Sequence, residues 1–231
     1  MGSSLSFSLV LYFIVTILYC FHLSFSIAYE IPSTKNQEGI LAESPIATDQ
    51  TVLQKHASFF DRNHDGIIYP KETFEGLRAL GFGVLLSTVG ANFINAGLSQ
   101  ITRPGKSPSI LLPIEIKNIQ LGKHGSDTGV YDTEGRFVDS KFEEIFKKHA
   151  KKNPNALTFD ELMELVKSNR VPKDYKGWLG SYVEFKLLHV LAKDKDGLLT
   201  KEALRSVYDG SLFIQKEKEH SGKKIDEITS I

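Results

Sequence analysis

The chain has 231 residues, room for one ordinary domain beside a targeting segment, and its 28 basic and 28 acidic residues cancel. Zero net charge gives no general attraction to nucleic acid. The only cysteine, Cys20, excludes an intrachain disulfide framework, a thiolate zinc site and a cysteine-held iron–sulfur cluster.

Residues 1–28 read as a hydrophobic signal or anchor segment. Leu5 to Ala28 is an apolar run, and the first 29 residues carry no charged side chain. Ser26 and Ala28 are small residues suited to a signal-peptide cut, although no Lys or Arg precedes the run. The run is also long enough for a retained anchor, since a bilayer needs roughly 20 apolar residues. Met1-Gly2-Ser3-Ser4-Leu5-Ser6 fits a myristoylation pattern, which the following apolar run argues against. Residues 29–50, interrupted by Pro32 and Pro45, read as a linker.

Residues 51–80 read as an EF-hand. Val52, Leu53, Ala57, Phe59 and Phe60 have helical spacing, with Thr51 or Asp49 as cap. A second helix is predicted from Lys71 to Leu80. Between them, DRNHDGIIYPKE places oxygen donors at the spacing Ca2+ requires. Asp61, Asn63 and Asp65 take positions one, three and five. Gly66 makes the turn, Ile67 offers its carbonyl at seven, and Glu72 is the bidentate ligand at twelve. Tyr69, at nine, would act through a water. Ile68, at eight, should pair with a partner loop.

Residues 81–113 form an apolar segment ending in a proline turn. No charged residue except Arg103 and Lys106 occurs between Leu80 and Pro113. Pro104, Pro108 and Pro113 forbid a continuous helix there. The segment reads either as a hairpin dipping into one leaflet or as a buried core helix followed by a loop. Asn92 and Asn95 weigh against hydrocarbon.

Residues 114–215 read as a helical C-terminal region, and 216–231 as a polar tail. Residues 122–137 are rich in turn formers. Helices are predicted at Phe142–Lys148, Thr158–Lys167 with a Thr158/Glu161 capping box, Trp178–Ala192 and 201–208. AKDKDGLLTKEAL resembles half of a second EF-hand loop. With Gly197 at position six, Ala192 and Ala203 replace both essential carboxylates, so no tight calcium site is expected, only a turn able to pair with the first loop. The fold class is mainly α: an EF-hand-like helix–loop–helix with a degenerate second half, plus the apolar central segment.

Among seven histidines, His64 should point to solvent, His149 and His220 should be exposed, and His189 should be core. His56 lies five residues before Asp61 on the inward face of its helix, and His124 lies in the loop LGKHGSD. Two such imidazoles could bind haem iron, but spacing alone does not require it.

Five stretches resemble the caleosins, or plant peroxygenases, in that family's order across residues 52–213. They are LQKHASFFDRNHDGIIYPKET, LRALGFG, KHGSDTGVYDTEGRFV with KFEEIFKKHA, LLHVLAKDKDGLLTKEALR, and YDGSLF. The resemblance implies a haem b- and calcium-dependent peroxygenase. Such an enzyme transfers oxygen from fatty acid hydroperoxides to unsaturated fatty acids by epoxidation or hydroxylation. It places the haem-associated, catalytic histidines on His56 and His124. It implies a lipid droplet or endoplasmic reticulum membrane location, with secretion through a cleaved signal as the alternative. The chain departs from the family's proline knot, which resembles P-x3-P-S-P-x2-P, by Ile110 in place of one proline. It also has Lys106 where an aromatic residue usually follows Pro-Gly. The competing function is a non-catalytic, calcium-dependent structural or docking protein of lipid droplets or membranes. A calcium sensor is a weaker reading, because the chain has only Met1 and Met163 for a Met-rich groove.

Overall fold

The computed structural model describes residues 49–229, with side chains to 222. The signal or anchor segment, nearly all of the linker, Cys20 and His22 lie outside the described residues. The described part is mainly α: eight α-helices, one 3-10 helix and four two-residue strands.

Helix α1 (Val52–Ser58) starts at Thr51, whose hydroxyl accepts from the Gln54 amide while Gln54 reaches back to the Thr51 amide. This reciprocal cap satisfies two otherwise unpaired donors and settles the start on Thr51 rather than Asp49. The Asp61–Glu72 loop contains β1 (Ile67–Ile68) and leads into α2 (Pro70–Ala79), with Pro70 at the first helical position, where no amide is needed. Helix α3 (Val84–Leu98) is followed by the proline-rich turn, β2 (Ile114–Glu115) and a 3-10 helix (Ile116–Gly122).

The C-terminal half repeats the plan. Helix α4 (Asp139–His149), β3 (Ala156–Leu157) and α5 (Phe159–Ser168) make one helix–loop–helix. Helix α6 (Tyr175–Ala192), β4 (Leu199–Thr200) and α7 (Lys201–Tyr208) make the next, and α8 (Ser211–Thr229) follows. Strand β1 pairs antiparallel with β2, Ile68 opposite Ile114, and β3 pairs antiparallel with β4, Leu157 opposite Leu199.

This pairing corrects the expected partnership between the Asp61–Glu72 loop and the degenerate loop around Gly197. The degenerate loop pairs instead with Ala150–Glu161, which has the same internal bonding as the first loop. The Lys151 and Lys152 amides donate to Glu161 Oε1, and the Thr158 amide to Oε2. In the first loop the Arg62 and Asn63 amides donate to Glu72 Oε1, and the Tyr69 amide to Oε2. Thr158 and Glu161 therefore form both a helix cap and positions nine and twelve of an EF-hand-shaped loop. That loop has Ala150, Lys152 and Pro154 where ligands would stand. The twelfth-position glutamate remains as an organiser of the turn.

Two apolar cores result. Ala57, Ile68, Ile114, Ile116 and Ile119 fill the first, and Phe142, Leu157, Leu162, Leu199 and Leu204 lie at the centre of the second. Phe60 packs against both. Helix α3 buries Ser87, Ala91 and Asn95, one turn apart, and leaves Leu85, Val89 and Phe93 exposed on the opposite side. Asn95 does not oppose an apolar outer face, because it points inward. Its Nδ2 donates to the Ile68 and Leu112 carbonyls, both at 2.9 Å, and its Oδ1 accepts from the Thr73 hydroxyl at 2.6 Å.

Leu157→Ala, at the centre of the β3–β4 contact, should lower unfolding stability by about 2–5 kcal/mol in urea titration, as truncation of a fully buried leucine does. Calcium titration of the Asp61–Glu72 loop, which pairs elsewhere, should be unchanged.

Candidate functional site

The Asp61–Glu72 loop closes on its own backbone. Gly66, at φ +83°, turns its amide onto Asp61 Oδ2 at 2.8 Å, a conformation costly for a residue with a side chain. The Asp65 amide donates to Asp61 Oδ1, and Asp65 Oδ1 accepts from the Ile67 amide at 2.8 Å. Asp61 and Glu72 are buried, whereas Asn63, His64 and Asp65 face solvent. Among the described residues no three His, Cys, Asp or Glu side chains form a metal-holding cluster. The oxygen set of this loop depends also on the Asn63 amide and the Ile67 carbonyl.

One turn before the loop, His56 is enclosed at the seam between the two halves. Its Nδ1 lies 2.8 Å from the Val207 carbonyl, at the end of α7. A carbonyl only accepts, so this contact puts the proton on Nδ1 and leaves Nε2 as the lone-pair nitrogen of a neutral imidazole. Burial pushes the His56 pKa below the usual histidine range, outweighing the Val207 bond and the carboxylates of Glu184 and Asp209. The Phe213 ring packs edge-on at 4.9 Å and Tyr131 at 6.5 Å. Gly210, at φ +81°, lies so close that a Cβ there would sit 3.1 Å from His56 Cα.

His124 follows the 3-10 helix in a loop tied down at several points. The Ser126 amide and hydroxyl donate to Asp174 Oδ2, and the Ser181 hydroxyl donates to the Ser126 carbonyl. The Tyr131 hydroxyl donates to the Tyr208 carbonyl, and Thr128 Oγ1 lies 2.9 Å from Tyr208 Oη. His124 Nε2 is 3.4 Å from Ser181 Oγ and 3.9 Å from Glu184 Oε2, while its buried Nδ1 has no hydrogen-bond partner. Interaction with the Glu184 carboxylate raises the His124 pKa against partial burial.

The two predicted histidines therefore belong to one neighbourhood. Glu184 acts electrostatically on both, and on half-buried Tyr131 and buried Tyr208, whose pKa values are raised chiefly by desolvation. Sequence reasoning missed Glu184, Tyr131, Val207 and Tyr208. Tyr131 and Tyr208 begin YDTEGRF and YDGSLF, but neither stretch shows that it flanks an imidazole, and Glu184 and Val207 lie outside both. Two surface cavities, about 260 Å³ beside His220 and about 90 Å³ beside His149, are lined by neither site histidine. Of the other histidines, His189 is core as expected, bonded to the Gly197 carbonyl at 3.0 Å. His149 is buried, with Nε2 3.4 Å from Ser168 Oγ, and His220 is half-buried, so the expected exposure of both is corrected.

Fold and site together define an EF-hand helical protein with a pair of histidines at the seam of its two halves. The family model described as Caleosin related protein matches residues 48–217. The chain is 60% identical over 178 residues to "Probable peroxygenase 4" of Arabidopsis thaliana, covering 77% of this chain and 91% of the relative. It is 51% identical over 175 residues to "Peroxygenase" of Lilium longiflorum, covering 76% and 73%. It is 50% identical over 154 residues to "Probable inactive peroxygenase-like protein" of Arabidopsis thaliana, covering 67% and 73%. No solved structure matches. The chain belongs to the caleosin family and is a peroxygenase of that family's type.

The opposite pKa directions predict opposite titrations. In the haem-free protein, 15N NMR should show His56 neutral, with its proton on Nδ1, at pH values where His124 is already protonated. Because the folded His56 pKa is lowered, its contribution to stability is fully present above the unfolded value of about 6.5. That contribution should be lost as pH falls from there toward the folded pKa.

Proposed function

We propose that the peroxygenase site is the His56–His124 pair, holding haem b, and that Asp61–Glu72 holds Ca2+. The observation that carries this reading is the fixed tautomer of His56: Nδ1 engaged by a backbone carbonyl, Nε2 left with its lone pair. That is the outer hydrogen bond metal-ligating histidines use. The orphaned, buried Nδ1 of His124 also fits a site whose polar groups are completed by a bound group. The residues present fit haem, with His56 and His124 as the groups that would hold it.

Bound haem supplies O–O cleavage of a fatty acid hydroperoxide and oxygen transfer to an unsaturated fatty acid. The protein's own contributions follow from geometry. The Val207 carbonyl and the Phe213 edge orient the His56 ring. Burial keeps it neutral, so its lone pair stays available at mildly acid pH. His124, beside Glu184, holds a proton at Nε2 that can be given to the departing alkoxide oxygen. Half-buried Tyr131 and buried Tyr208 stay protonated, with their hydroxyls engaged.

For calcium, Asp61, Asn63 and Asp65 give side-chain oxygens, Ile67 gives its carbonyl, and Glu72 gives two oxygens. Calcium would draw these groups together and fix α1, which carries His56. The exposed apolar face of α3 and the exposed Ile110 and Leu111 support docking on a lipid droplet or endoplasmic reticulum membrane. No described helix is long and apolar enough to cross a membrane.

The test follows the oxygen. The full chain, loaded with haem and calcium, is given a fatty acid hydroperoxide labelled in both peroxide oxygens, together with oleic acid. Label is expected in the epoxide. It should be absent for His56→Ala, which should also lose its Soret band, and reduced by about 10²–10⁴-fold for His124→Ala. Unlabelled epoxide from a loaded, folded chain would overturn the reading.

Glu72→Gln should weaken calcium binding by about tenfold or more in calorimetry, through loss of a charged bidentate ligand, and should lower turnover with it. Full turnover after proven calcium loss would separate the two sites.

A further inference from the structure

Glu115 is a buried carboxylate beside the most exposed apolar turn described in the protein. It lies in β2 opposite Ile67, and its side chain is 7% exposed. Three cations converge on it. Lys106 Nζ bonds Oε1, Arg103 Nε lies 3.7 Å from Oε1, and Lys117 Nζ lies 3.5 Å from Oε2. Oε2 has no hydrogen-bond partner. Arg103 is enclosed at 15% exposure, whereas Lys106 and Lys117 are 51% and 72% exposed. Glu115 is the only acidic residue between Ala79 and Lys123. One carboxylate against three cations leaves an excess of two positive charges, presented by the two outer lysines.

The same turn carries Ile110, 86% exposed, and Leu111, 62% exposed. Asn95, through its bond to the Leu112 carbonyl, ties this turn to the inward side of the last turn of α3. Leu85, Val89 and Phe93 line the exposed side of that helix. A cationic cluster is thus fixed next to the exposed Ile110 and Leu111.

We propose that Lys106 and Lys117, gathered by Glu115 beside Ile110 and Leu111, form a binding site for anionic phospholipid headgroups, so that this face docks on a negatively charged lipid surface. The proposal rests on the docking reading above and adds headgroup selectivity to it. Apolar side chains alone enter any lipid surface. Cations held at the edge of an apolar face lower the free energy only where the surface carries negative charge. A nucleic acid would use the lysines and leave the isoleucine and leucine without apolar contact. A neutral apolar partner would cover the lysines without compensating them. Glu115 keeps the two ammonium groups together, and its backbone pairs with the calcium loop, so the site is built on the ordered part of the fold.

The test reads the turn itself, so that an apolar N-terminal run cannot mask the result. Leu111→Trp in the full chain is titrated with vesicles carrying brominated acyl chains, and the Trp178 signal of the parent chain is subtracted. One vesicle set is phosphatidylcholine; the other also contains phosphatidylserine. Quenching should reach its half-point at lower lipid on the anionic vesicles, by about fivefold for each contributing lysine. Adding Lys106→Gln should cut that preference about fivefold, Lys106→Gln with Lys117→Gln should abolish it, and Lys106→Arg should restore it. Thermal melting checks that each variant is folded. Equal quenching on both vesicle sets, unchanged by Lys106→Gln, would overturn the headgroup site and leave docking in place. Absence of quenching on either set would overturn docking and the headgroup site together.

Discussion

The hydrogen bond between His56 Nδ1 and the Val207 carbonyl, 2.8 Å long, joins the half of the fold that carries the Asp61–Glu72 loop to the half that carries Tyr208. Much of the site depends on it. It selects the tautomer of His56, it sets the direction of Nε2, and it requires the close passage of Gly210 past α1. The packing around it is aromatic: Phe59, Phe60 and Phe213 meet with ring centroids 5.2 to 5.8 Å apart. Such packing tolerates little displacement, because a shift of one ring opens a gap beside the others. Arg62, at position two of the loop, reaches Glu217 on α8 at 2.6 Å. The Asp61–Glu72 loop and the helix that packs on His56 are therefore held by neighbouring contacts.

The paired architecture explains how one EF-hand loop can exist without a second competent one. An isolated helix–loop–helix leaves its two-residue strand unpaired and its apolar face uncovered. Here Ile68 finds Ile114, from a segment with no calcium-loop pattern, and Asn95 accepts the further task of bonding the Ile68 and Leu112 carbonyls. The other half keeps the shape and has lost the ligands. Glu161 is retained because it closes the turn through three amides, a structural role independent of metal.

Two surfaces follow from this division. The inner one, at the seam, is made of a half-buried imidazole, one half-buried and one buried phenol, and a histidine beside a carboxylate. The outer one, on α3 and the proline turn, is apolar with lysines at its edge. Asn95 bonds both Ile68, in the Asp61–Glu72 loop, and Leu112, in the turn. The proposed chemistry lies with the histidines, and the proposed docking lies with the exposed residues of α3 and the proline turn.

The sequence by itself determined the Asp61–Glu72 loop, because its oxygen donors fall within one short segment and their spacing is a local property. It determined the helices flanked by clear caps, such as the one beginning at Thr158, and the bend imposed by Pro104, Pro108 and Pro113. His56 and His124 could be named only through resemblance, since they are 68 positions apart and spacing across that distance carries no geometry. The tertiary structure decided the rest. It showed that Asn95 turns inward, although composition alone counted it against an apolar face. It gave the Asp61–Glu72 loop the partner Ile114–Glu115, because pairing is won by whichever extended segment packs against Ile68, not by the one with calcium-like residues. It brought Val207, Glu184 and Tyr131 to the histidines from three separate stretches, and long-range packing of that kind leaves no periodic trace in the chain.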